Sequence, residues 1–183
     1  MNTGLLIVIL IVLIMIVGAA FFVGQRRRTQ QLQNRFGPEY RRTVARTGDR
    51  RTAEADLAGR EERRRDLDIV ELEPAIRARY IEAWQATQNK FVDDPATATR
   101  EADVLITKVM RDRGYPVDDF DRRAEDVSVD HPEVAENYRA AHALTQANQQ
   151  GLTNTDDLRQ AFVHYRSLFA ELLDVGRDDR EVR

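Results

Sequence analysis

Between Leu5 and Val23 the chain reads LLIVILIVLIMIVGAAFFV, nineteen residues without one charged or polar side chain. At about 1.5 Å per helical residue such a run is about 28 Å long, close to the ~30 Å hydrocarbon core of a bilayer. A lone span must be helical, because lipid satisfies no free backbone group. A core helix of this length would carry polar residues on one flank, and this run has none. A cleaved signal peptide needs a basic start, an apolar core of about 7–15 residues and a small-residue cleavage site. Met1-Asn2-Thr3-Gly4 carries no base, the run is longer, and two phenylalanines follow Gly18-Ala19-Ala20 at once. The expectation is a retained single-pass anchor over residues 1–24. Ala20 and Gly24 form one small-xxx-small pair, which Gly and Ala at an interface explain as well as dimerisation does.

Charge orients the anchor. No Lys or Arg precedes the run, whereas Arg26, Arg27 and Arg28 follow it closely, with Arg35, Arg41 and Arg42 behind. The positive-inside rule then places the short N-terminus outside and the rest in the cytoplasm, at the inner membrane. An exported or secreted head that binds an envelope component or small ligand is the alternative. Residues 25–65 hold thirteen arginines against six acids, a surplus of +7, so an overall −3 leaves −10 elsewhere. Basic near the membrane and acidic beyond suits a segment lying on anionic lipid with a head facing away. The acidic head makes nucleic acid an unsuitable partner, since phosphate neutralisation supplies most of that affinity. With no cysteine, disulfides, thiolate metal sites and a cysteine nucleophile are excluded.

Residues 25–66 read as a basic juxtamembrane stalk. Phe36-Gly37-Pro38 interrupts any helix leaving the membrane, and Pro38 opens a new one, PEYRRTVART, that ends at Gly48. From Asp49 to about Asp66 the sequence favours helix but is polar nearly all round. Such a helix is expected to lie on a surface rather than fill a core. Residues 67–74 are too short for a partnered strand and read as an extended segment laid across the head.

Four amphipathic stretches make up the head, residues 67–175. The first runs from Pro74 to about Val92, with Ile76, Tyr80, Ala83, Trp84, Thr87 and Phe91 on one arc. Asp94 and Pro95 open the second, whose face is Ala98, Ala102, Leu105, Ile106 and Val109, and Gly114-Tyr115-Pro116 ends it. A short turn of helix over 117–126 leads through Val127-Ser128-Val129 to a third, from Pro132 to near Gly151. The fourth begins at Thr155 and carries Leu158, Ala161, Phe162, Tyr165, Phe169 and Leu172. Residues 176–183 have too few apolar side chains to fold and are expected to be disordered. The expected fold is all-α: one transmembrane helix, a charged helical stalk and a bundle of about four main helices.

Candidate chemistry is thin. His131, His142 and His164 show no metal-ligand spacing; His131 reads as part of a cap, His142 as edge of an apolar face, His164 as surface. The acids Asp93-Asp94, Asp118-Asp119-Asp121 and Asp156-Asp157 lack the alternation and central Gly of a calcium loop and stand at helix starts, where carboxylates cap. Trp84, Tyr80 and Phe91 read as core sooner than pocket floor. No phosphate loop, nucleophile elbow or HExxH is present. No catalytic residue, cofactor or metal site is therefore expected. Arg26, Arg27 and Arg28 are the candidate contacts to anionic lipid head groups, at about 1 kcal/mol each near the surface; topology signal and solvation alone are their other role.

The ordered series RFGPEY (35–40), TGDRR (47–51), FVDDP (91–95), VMRDRGYP (109–116), VSVDHP (127–132), YRAAH (138–142) and LRQAFVHYRSLFAELL (158–173) resembles an uncharacterised bacterial family with an N-terminal apolar segment and a helical head. Its members are often labelled only "secreted protein" or "hypothetical protein". The resemblance covers essentially the whole chain after the anchor and implies a recurrent architecture. It implies no activity, so no functional residue is carried over. The bilayer and an unidentified protein are the partners expected, and a tethered interaction or scaffold module is the expected role.

Overall fold

Prolines and caps decide where the helices begin. The computed structural model describes residues 3–173, and of residues 3–9, 11, 14 and 21 the backbone alone. Among the described residues there are eight helices and no strand: α1 Thr3–Phe36, α2 Pro38–Thr47, α3 Arg50–Arg65, α4 Pro74–Asp93, α5 Pro95–Asp112, α6 Phe120–Asp130, α7 Pro132–Gln149 and α8 Thr155–Leu172. Pro38, Pro74, Pro95 and Pro132 each open a helix, where the missing N–H costs nothing. Asp49, Asp94 and Asp119 cap α3, α5 and α6 through the amides of Thr52, Thr97 and Arg122. Asn154 and Asp157 form a reciprocal capping box on α8.

The main core lies where α8 packs against α7 and α5, with α4 paired to α5. Trp84 stacks on both Phe162 and Phe169, at 5.1 and 4.5 Å between ring centres, so the aromatics of α4 and α8 are core rather than pocket floor. Residues 67–73 are extended and cross the end of α5, as expected. Val70 N donates to Arg113 O (2.9 Å), and Arg113 Nη1 donates to Leu172 O (2.6 Å). Gly114 sits under this segment at φ 93°, and a Cβ there would lie 2.3 Å from Asp68 O. Only glycine serves both conditions.

Three expectations need revision. The α6 helix is eleven residues long and takes in Val127, Ser128 and Val129, all buried, rather than ending before them. The α3 helix does not merely lie on a surface: Ala53, Glu54, Leu57 and Arg60 are buried. Leu57 joins Leu32, Phe36, Tyr40 and Val129 in a second core that ties α1, α2 and α3 to α6. The residues read as a stalk are thus packed onto the head.

The transmembrane span is not supported among the described residues, where no helix is long and apolar enough to cross a membrane. Eight of the nineteen side chains in the run Leu5–Val23 lie outside what is described. The tail expected to be disordered, residues 176–183, lies wholly outside the described residues. What is described at the N-terminus is backbone continuity: α1 runs unbroken for 34 residues before Gly37, at φ 45°, turns the chain.

Candidate functional site: a basic notch between α1 and α3

Two side-chain pairs fix how α3 lies on α1. Thr29 Oγ1 donates to Glu54 Oε1 (2.8 Å), and Arg35 Nε pairs with Glu61 (3.2 Å). Six residues along one helix match seven along the other, so α1 and α3 run parallel. The α2 helix returns between them in the opposite sense, since Glu39 meets Arg60 while Arg46 meets Asp56. Gly48, at φ 71°, makes the hairpin possible by closing α2 on Val44 O. The hairpin brings the start of α3 back to the level of Gln25 and Arg26.

There the two helices line a notch of about 650 Å³, formed by Phe22, Gln25, Arg26, Thr29, Gln30 and Gln33 on one side and Asp49, Arg50, Arg51 and Glu54 on the other. Arg26 is the one candidate lipid contact of the sequence reading that lines it, its guanidinium 4.6 Å over the Phe22 ring. Arg27 and Arg28 are exposed on the same turn but do not line the notch. Arg50 and Arg51 do, and nothing in their local sequence singled them out. Guanidinium forks match phosphate oxygens in pairs, and the glutamine amides add neutral donors.

The acids differ in availability. Asp49 is committed to capping, accepting from Thr52 N and Oγ1 (both 2.8 Å), and these bonds hold its carboxyl below the usual range. Glu54 is 8 % exposed and accepts from Thr29 and from Tyr40 Oη (2.9 Å), both at Oε1. Burial, then the bond to Glu54, pushes the Tyr40 phenol up, so it remains a donor at neutral pH.

A second polar cluster is structural in build. Arg60, 2 % exposed, donates to Glu39 (3.2 Å) and Asp56 (2.9 Å), pairs with Glu125 (3.2 Å) and lies beside Ser128. Arg139 of α7 reaches the other oxygen of Glu39. The cluster therefore bolts α2 and α3 to α6 and α7.

Two of the three histidines are held in place by side-chain neighbours. His131 joins α6 to α7 and has Nδ1 3.0 Å from Glu171 Oε1. His142 stacks flat on Phe120, ring centres 3.6 Å apart, with Nε2 2.9 Å from Gln146 Nε2 and Nδ1 3.8 Å from Asp103. His164 is half-exposed on α8. Among the described residues no group of three acids or histidines is placed to hold a metal ion. Comparison with protein-family models, curated proteins and solved structures gives no match.

Proposed function

We propose that this chain is a membrane-tethered, non-catalytic interaction module whose helical head is held against the inner face of the bilayer. The observation that carries the reading is the continuity of α1. One helix runs from Thr3, through the sequence of the apolar run, to Leu32 and Phe36, which are buried in the second core. An anchor built this way positions the head instead of letting it swing. The run is long enough to span, and the three arginines beyond it favour the cytoplasmic side.

The hairpin supports the reading independently. It delivers Arg50 and Arg51 beside Arg26, doubling back basic side chains to the level at which the apolar sequence ends. Lipid contact by Arg26, Arg27 and Arg28 is part of the proposal. For the head, scaffolding fits better than catalysis. His131 pairs with a carboxylate and His142 with a ring and an amide, and among the described residues neither shares a cleft with a nucleophile.

Topology tests the assignment. Alkaline phosphatase fused after Leu173 should be inactive, and a fluorescent reporter at the same place bright, with both fusions resisting carbonate extraction from membranes. Active phosphatase would mean an exported head; release by carbonate would remove the anchor itself.

A further inference from the structure

We propose that the α1–α3 notch is a headgroup site for an aminophospholipid, the arginines taking the phosphate and Glu54 the primary ammonium. The proposal rests on the membrane reading and gives it a ligand. At about 1.5 Å per residue, Arg26 lies about 5 Å and Gln30 about 10 Å past Val23, the depth of the headgroup layer of a bilayer ~40–45 Å thick overall. Phe22 lies at the lower lip, where aromatic side chains meet the interface.

The charge pattern chooses among lipids. Arg26, Arg50 and Arg51 alone would favour any phosphate-bearing lipid and anionic ones most. Glu54 changes that preference. It is more than nine-tenths buried, lines the notch, and has no ion pair among the described residues. Both hydrogen bonds it accepts land on Oε1, and Oε2 is not among the buried atoms that lack a partner, so it stays open to the notch. A carboxylate with one oxygen open to the notch, beside a phosphate-binding set, suits a cationic donor. Ethanolamine places an ammonium two carbons from a phosphodiester. Phosphatidylglycerol offers hydroxyls there, and choline offers a cation with no N–H to donate.

The test uses the full chain in nanodiscs of phosphatidylcholine containing equal fractions of phosphatidylethanolamine and phosphatidylglycerol. Lipids retained on release into mild detergent are identified by native mass spectrometry. The wild type should keep phosphatidylethanolamine over phosphatidylglycerol by about tenfold, what one charge-assisted hydrogen bond confers. Glu54→Gln retains an acceptor for Thr29 and Tyr40 but loses the charge, and should bring the ratio close to one. Arg51→Ala should lower retention of both lipids and leave the ratio unchanged. If Glu54→Gln melts early, the wild-type ratio and Arg51→Ala still decide. Equal retention, a preference for phosphatidylglycerol, or no retained lipid overturns the site while leaving the anchor standing. Failure to enter nanodiscs at all would instead overturn the membrane reading.

Discussion

Asp126 shows how one buried acid sets a pH dependence in this fold. It is 1 % exposed, Oδ1 has no hydrogen-bond partner, and the nearest guanidinium nitrogen, Arg63 Nε, is 3.9 Å away. Burial dominates over the attraction of Arg63 and Arg122 and pushes its carboxyl above the usual 3.8. The native state therefore binds this proton more tightly than the unfolded chain does. Stability is lost as pH rises from about 3.8 through the folded value, and at pH 7 the ionised group weakens the fold. Asp126→Asn should stabilise a chain starting at residue 25 by about 1 kcal/mol at pH 7, with the gain shrinking as pH falls to 4 in urea titrations. A loss of stability at pH 7 would mean that attraction to the arginines outweighs burial. Nearby, Arg60→Ala should cost about 3–5 kcal/mol, because Glu39 would keep only Arg139 as a partner in the interior. An unchanged urea midpoint would show that water relieves the cluster.

At the scale of elements, what could be read in advance depended on how local the signal was. Helix starts were legible because proline and capping side chains act within three residues, as at Pro74, Pro95, Pro132 and Thr155. The faces of α5 and α8 were legible because their buried residues are apolar at helical spacing. The α3 helix was misjudged for the opposite reason. Half of its buried face is Glu54 and Arg60, which periodicity counts as solvent-exposed, and apart from Asp56, one turn from Arg60, their partners lie 14 to 68 residues away in sequence. The notch shared that fate: Arg26 was found by its place after the apolar run, but Arg50 and Arg51 join it only through the hairpin. If α1–α3 belong to the packed unit, a chain beginning at residue 25 should melt well above one beginning at residue 67. Leu57→Ala in the longer chain should cost about 2–5 kcal/mol. Equal melting of the two chains, with Leu57→Ala silent, would return these helices to the role of an unpacked stalk.

For the whole molecule the proposal is geometric: if α1 begins in the membrane, it fixes the head's height and orientation over it. Because α3 runs parallel to α1, its start should lie at headgroup level. Its end should stand about 20 Å higher, given thirteen residues between positions 52 and 65 at about 1.5 Å each. The chain has no cysteine, so a single introduced one carries a fluorophore at one known site. Thr52 and Arg65 are exposed, and Thr52→Cys leaves the backbone amide that Asp49 uses. The deciding measurement is quenching of each label by nickel-chelating lipid headgroups, with the full chain in nanodiscs. Strong quenching at position 52 and little at position 65 is the expected result. Equal quenching at both positions, or none at either, would contradict a head held by α1 at a fixed height on the membrane.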